Sequence, residues 1–394
     1  MNKSTKILGL SAAAVLLLAA PSMAQDVKLG FLADLTGPIA GFAPGMVDTG
    51  NIVIKLVNDN GGVLGGKMLA SVVADTGCDG TAGGPAGDRM VNTEKVTAIF
   101  GAYCSGPVIS SANTAGIPGN VVQITPSGTA PAISDLADND LVYRNVVPDS
   151  VQGVKMAELL LGKGIKTVGV TYVNGDYGKG LSDAFTAAYT AGGGTVAANV
   201  AHEDGKSDYR PEIGQVEAAG ADTLVILGYE NAGGGTILNQ AIETGSFKQF
   251  VGGDGMAGEA LLANRDAKAL EGMILTRAAP AGGPAYDALG AILKGTNVAP
   301  DGVYVTNSFD SVFLLALAIE KNGSADRAGL AKALREVANA PGEVILPGEW
   351  KKAVDLIKAG TDINYQGASG EIEFDAKGDV AGAIESFAVE GGKV

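Results

Sequence analysis

Residues 167–201 read TVGVTYVNGDYGKGLSDAFTAAYTAGGGTVAANVA. Thr167–Val173 is rich in β-branched residues and carries no charge, the pattern of a strand covered on both faces. Gly180–Thr190 has the spacing of a helix, and Gly192, Gly193 and Gly194 stop it. Thr195–Ala201 is again a strand. Tyr209–Ala219 continues as a helix and Thr223–Leu227 (TLVIL) as a third strand. Alternation of strand and helix predicts a parallel sheet with helices on both faces.

The same order occurs earlier in the chain. Val27–Leu32 reads as a buried strand and 44–58 as a helix ended by Gly61 and Gly62. Strand Met68–Val73, helix Ala82–Glu94 and strand Val96–Phe100 follow. Two such runs predict an α/β protein of two Rossmann-like lobes. A long apolar helix, Phe309–Glu320, belongs back on the first lobe, so the chain crosses between lobes more than once. The expected division is 25–145 with 278–345 for lobe 1, and 146–277 with 346–394 for lobe 2. A length of 394 residues suits two cores, since single cores stop growing near about 250–300 residues.

Composition narrows the function. A net charge of -15 opposes binding to phosphate backbones, so no nucleic-acid partner is expected. One histidine and two cysteines, without zinc-ligand spacing, predict no metal site, and no cofactor is expected. His202 lies in the polar stretch AHEDGKSD and reads as a solvated surface residue; no catalytic constellation stands out. Lys3 and Lys6 precede an apolar run, Ile7–Ala20, and small residues flank a cut after Ala24, which together make residues 1–24 a secretory signal peptide. The apolar run is too short to span a bilayer, and the richest later stretch, Val312–Ile319, reads as a buried helix. Export puts Cys78 and Cys104 in an oxidising compartment that favours a bridge over two free thiols or a nucleophile. Such a bridge is worth about 3–4 kcal/mol by chain entropy.

Two motifs resolve to turns. Gly61–Lys67 fits a phosphate-loop spacing, but Met68 stands where Ser or Thr is needed and a strand follows instead of a helix. Gly253, Gly255 and Gly258 match a dinucleotide fingerprint, yet the run before them is short and no acidic strand end follows. A loop that brings backbone close to a small ligand is the better reading.

Ligands of open α/β sheets bind beyond the carboxyl ends of the strands. The loops there carry Thr125–Pro131 (TPSGTAP), Cys104-Ser105-Gly106 at a helix start, and the single acid Asp254 in GGDGM. Donor-rich turns for an anion and one acid for a cation describe an amino acid zwitterion. Phe42, Tyr103, Tyr177 and Tyr229 supply apolar walls.

The motifs VKLGFLADLTGPIAGF, NDNGGVLGGK, DTGCD, GAYCSG, ITPSGTAP, NGDYGKGL, GYENAGG and VGGDGM occur in this order through nearly all of the chain after residue 24. In this the sequence resembles the branched-chain amino acid-binding proteins of ABC transporters, type I periplasmic binding proteins. The resemblance implies a monomeric periplasmic protein that captures an amino acid and hands it to a membrane permease, without catalysis. It implies that the Ser105 hydroxyl and N–H and the Thr129 N–H bind the ligand carboxylate. The Thr129 hydroxyl, the Gly128 carbonyl and Asp254 would meet the ammonium, with Phe42, Tyr103, Tyr177 and Tyr229 closing over it. Members of this family also bind amides, urea and aromatic acids, and a sensor without transport is a further alternative. Residues 341–367 look longer than in the simplest members.

Overall fold

The computed structural model describes residues 26–391 and 393, apart from 259–260, 263–264, 266 and 280–281. The leader segment 1–24 lies outside the described residues. The first sheet is built from β1 (Val27–Ala33), β2 (Leu69–Asp75), β3 (Ala98–Gly101), β4 (Val122–Thr125) and β5 (Val142–Arg144). All neighbours are parallel, in the order β2-β1-β3-β4-β5. The connecting helices are α1 (Ala43–Asp59), α2 (Gly80–Asp88), α3 (Ser105–Ser111) and the single turn α4 (Pro131–Ser134). Each face of the sheet has its own apolar core, one around Phe31, Phe100 and Phe313, the other around Leu32, Ile99 and Val108. Cover on both faces explains why β1 is apolar at nearly every position.

After a crossover at 145–148, the second unit repeats the plan. It comprises α5 (Asp149–Gly162), β6 (Thr167–Val173), α6 (Asp176–Ala191), β7 (Thr195–His202), α7 (Arg210–Ala218), β8 (Thr223–Leu227), α8 (Gly233–Thr244), β9 (Gln249–Gly252) and β10 (Ile274–Ala278). The chain then returns to the first lobe with α9 (Pro284–Leu293), α10 (Val305–Asn322) and α11 (Leu330–Ala338). Helix α10 is buried at every position from Val305 to Glu320, which accounts for its continuous apolar run.

The segment after α11 departs from the expected division at residue 345. It folds as β11 (Glu343–Ile345), α12 (Trp350–Lys358), β12 (Ile363–Gly367) and β13 (Gly370–Glu371), a small sheet packed on the first lobe. Trp350 meets Phe313 of α10 edge-on, with ring centroids 6.0 Å apart. Asp310 of α10 is buried, and this segment satisfies it: the Tyr365 hydroxyl donates at 2.6 Å and the Ala368 and Ser369 N–H groups at 3.0 and 2.7 Å. A buried carboxylate needs such donors, so 346–374 is bound to the first lobe. Only β14 (Ile384–Ala388), reached through a third crossover, joins the second sheet, antiparallel to β10. That sheet runs β14-β10-β9-β8-β6-β7.

His202 also differs from expectation. It ends β7 with its side chain turned inward and only 1% exposed. Its Nδ1 lies 2.8 Å from the Thr171 hydroxyl, and its ring meets Tyr209 edge-on. Burial lowers its pKa to about 4, so it is a neutral core residue.

Candidate functional site

In each lobe strand order reverses beside the first strand of the unit, at β1/β3 and at β6/β8. The loops beyond these strands face each other across one cleft, as open α/β sheets require. Its inner wall is formed by Ile39, Phe42, Tyr103, Ser105, Ser127, Tyr177, Tyr229, Asp254, Gly255 and Tyr304, with Cys104 at the edge.

The first-lobe side is tied together from within. Cys78 and Cys104 are disulfide-bonded, with Cα atoms 5.3 Å apart. Both loops hang on Asp34, the residue after β1. Its carboxylate accepts from the N–H groups of Cys78 (2.7 Å), Tyr103 (2.9 Å) and Cys104 (3.0 Å), and from the Thr76 hydroxyl. Burial raises its pKa, against these four donors. Ser105 is the first residue of α3, at the helix start expected for this loop, and Cys104 is its cap. The Ser105 hydroxyl accepts from the Ala130 N–H at 3.1 Å, which joins the 125–131 loop to α3. A Cβ at Gly128 would lie 2.9–3.0 Å from the side chains of Thr125, Ile133 and Val108, so a larger residue would force them aside.

Arg144 supports this loop from below. It is fully buried; its Nη1 donates to the carbonyls of Thr129 and Ala130 at 2.9 Å, and to that of Gly128 at 3.4 Å. Its Nε donates to Asp379 at 2.6 Å and its Nη2 to the Ser134 hydroxyl. Arg144 precedes the first crossover and Asp379 the third. The loop and two crossovers therefore share one ion pair. The Gly128 carbonyl, expected to meet a ligand, already has this long bond, and its second lone pair remains.

The second-lobe side is aromatic. The rings of Tyr177 and Tyr229 stack with centroids 5.2 Å apart. The Tyr229 hydroxyl reaches across the cleft to within 3.6 Å of Cys78 Sγ and 3.9 Å of Cys104 Sγ. Asp254 lies between the lobes. Its Oδ1 accepts from the Tyr177 hydroxyl (2.7 Å) and Gln152 Nε2 (3.2 Å), and its Oδ2 from the Tyr304 hydroxyl (2.6 Å). Burial and the Asp254 charge raise the pKa of all three tyrosines facing it, Tyr177, Tyr229 and Tyr304, so their phenols stay protonated as donors. The glycine-rich loop works by backbone approach: the Gly255 N–H donates to the Tyr177 hydroxyl at 3.1 Å, and a Cβ there would lie 2.5 Å from the Gly228 carbonyl oxygen.

Asp149 opens α5, directly after the first crossover. It is buried completely, and neither carboxylate oxygen has a hydrogen-bond partner. The hydroxyls of Thr129 and Tyr103 are also buried without a well-formed hydrogen bond, although the Thr129 hydroxyl lies close enough to Asp149 to favour its charged form. Desolvation, then the Asp254 charge, raise the Asp149 pKa well above the usual carboxylate range. Unsatisfied buried polar atoms are rare in native proteins and costly. Of these three groups Tyr103 lines the cleft, and Thr129 and Asp149 stand in the loop and crossover beside it.

Six of the eight expected residues line this cavity: Phe42, Tyr103, Ser105, Tyr177, Tyr229 and Asp254. Gly128 and Thr129 stand in the loop stitched to Ser105. Asp149, Gln152 and Tyr304 were not legible. Asp149 and Tyr304 stand at the starts of α5 and α10 and Gln152 in the first turn of α5, each after a change of lobe or a long loop, and the strand pattern assigns no direction to such positions. An acid immediately after the Val146-Val147-Pro148 crossover was the one available signal.

The fold and cleft define a two-lobed binding protein. A family model described as periplasmic binding protein matches residues 26–366, and the chain belongs to that family. It is 31% identical over 328 residues to the Leu/Ile/Val-binding protein BraC3 of Rhizobium johnstonii, covering 82% of this chain and 87% of that one. It is 29% identical to a leucine-, isoleucine-, valine-, threonine- and alanine-binding protein of Pseudomonas aeruginosa, over 85% of this chain and 90% of the relative. The crystal structure of a leucine-binding protein from Thermotoga maritima superposes with a TM-score of 0.78 at 26% identity, over 93% of this chain and 96% of that one.

Proposed function

We propose that this protein is the periplasmic, monomeric binding component of an ABC importer, and that it captures an aliphatic amino acid of the leucine, isoleucine or valine type for a membrane permease. The observation that carries the ligand class is the trio of buried, unpartnered polar groups, Asp149, Thr129 and Tyr103. The ligand carboxylate meets the Ser105 hydroxyl and the backbone N–H groups of Ser105 and Thr129. The ammonium sits on the Asp149 carboxylate with the Thr129 hydroxyl and the Gly128 carbonyl beside it. Asp254 adds a second negative charge from the other lobe, aimed by Tyr177, Tyr304 and Gln152. The aliphatic side chain lies against Phe42, Ile39 and the tyrosine rings.

The binding cycle is capture and closure. The ligand docks on the first lobe, hinge rotation at the three crossovers brings Tyr177, Tyr229 and Asp254 over it, and the permease reads the closed form. No bond is made or broken. A ligand with a carboxylate and no cation would offer nothing to Asp149 or to the Asp254 charge, and should bind more weakly than the amino acid. The names of the relatives agree with this class, and the basic start and apolar run of residues 1–24 agree with export.

The test is a thermal-shift panel on protein stripped of any carried ligand by unfolding and refolding. Leucine, isoleucine or valine should raise the melting temperature, because a ligand bound only by the folded state stabilises it. Benzoate, urea and acetamide should not. A shift with benzoate and none with any aliphatic amino acid would overturn the reading.

A further inference from the structure

A larger cavity, about 440 Å³, lies behind the cleft at the hinge. All three crossovers wall it, through Asn145–Val147, Ala278–Ala279 and Val380–Ala383. Asp254 and Tyr304, joined by a 2.6 Å hydrogen bond, belong to the walls of both cavities. The volume falls in the range of small-molecule sites, about 300–1,000 Å³.

We infer that this hinge cavity is a second binding site, and that it takes a small organic cation with an apolar body. The chemistry of the walls selects that class. Val146, Val147, Val303 and Val380 offer apolar surface, and Tyr286 and Tyr304 add aromatic rings, the side chains that attract cations. The charged groups on the wall are Asp254, Asp301, Glu371 and Arg277. Arg277 is already matched: its Nε donates to Glu385 at 2.6 Å, and its guanidinium lies over the Phe387 ring at 4.9 Å. The carboxylates are then in excess, which opposes an anion. A bare metal ion does not fit either. The chamber is far wider than a coordination sphere, and among the described residues no three His, Cys, Asp or Glu side chains lie together closely enough to hold one. An alkylammonium satisfies the walls: its charge faces Asp301 and Glu371 while its body covers the valines. Because the walls come from all three crossovers, the occupant touches both lobes at once. This site is independent of which molecule the cleft takes.

The test uses phenethylammonium chloride as probe and 2-phenylethanol as its neutral counterpart, titrated calorimetrically into stripped, full-length mature protein. The amine should bind saturably, and the alcohol at least tenfold more weakly. Asp301 and Glu371 are both exposed, so the double variant Asp301→Asn with Glu371→Gln should keep the wild-type melting temperature. It should weaken amine binding at least tenfold. Absence of saturable binding, equal binding of the alcohol, or full amine affinity in the double variant would each overturn the assignment.

Discussion

The two lobes share a strand order and differ in how they face the cleft. The first lobe presents a surface tied down before any ligand arrives. Asp34 holds both disulfide loops, Ser105 holds Ala130, and Arg144 holds three successive carbonyls of the loop that should grip the ligand. The second lobe presents tyrosine side chains whose hydroxyls converge on one acid or reach the opposite lobe. The polar atoms left without partners in the cleft, on Tyr103, Thr129 and Asp149, belong to the first lobe and to the residue that opens the second. A rigid receptor on one side and an aromatic cover on the other implies an order: docking on the first lobe, retention by the second.

The largest expected effect is on the rigid side. Arg144→Met breaks a buried ion pair and leaves Asp379 and three carbonyls without their donor, so unfolding free energy should fall by about 3–5 kcal/mol. Denaturant melts check this; a loss under 1 kcal/mol would show that the loop does not depend on Arg144. Asp149→Asn should split the two properties of the site. Ligand affinity should fall by about 2–5 kcal/mol, as when one member of a buried charge pair is removed. The ligand-free protein should hold its stability or gain some, because an orphaned buried carboxyl is lost. A parallel loss of both would make Asp149 structural.

Acid should act through the second lobe. His202 titrates near 4 when folded and near 6.5 when unfolded, so the unfolded chain binds the extra proton between these values. Its contribution is present above pH 6.5 and is lost as pH falls towards 4, by up to about 3 kcal/mol. His202→Gln should flatten that window in melts followed from pH 7 to pH 4. The smallest effect belongs to the bond that the first lobe makes to Asp254 of the cover. Tyr304→Phe removes one of three donors to Asp254, and release of ligand in stopped flow should quicken about tenfold, roughly 1.4 kcal/mol, with little change in capture rate. An unchanged release rate would mean that the cover does not govern retention.

Much of this was legible from the residues. The runs Thr167–Val173 and Thr223–Leu227 coincide with β6 and β8, because a strand covered on both faces must be apolar throughout. The loops beyond the strands held six of the residues that line the cleft. What escaped depends on distant partners. The place of 346–374 is fixed by Asp310, more than thirty residues upstream, and by Trp350 against Phe313; local pattern says nothing of either. His202 sits in a polar stretch, yet strand alternation turns it inward. Tyr304 lies in the left-handed region, at φ 56°, before α10, and no propensity marks it as a partner of Asp254.

The central claim is that an ammonium group is seated on Asp149. Calorimetric titration of leucine and of 4-methylpentanoate, which lacks the amine, into stripped wild-type protein and Asp149→Asn tests it most directly. Wild type should prefer leucine by at least a hundredfold, and that preference should shrink to about tenfold or less in the variant, with Asp254 supplying the remainder. A preference equally large in Asp149→Asn would contradict the account.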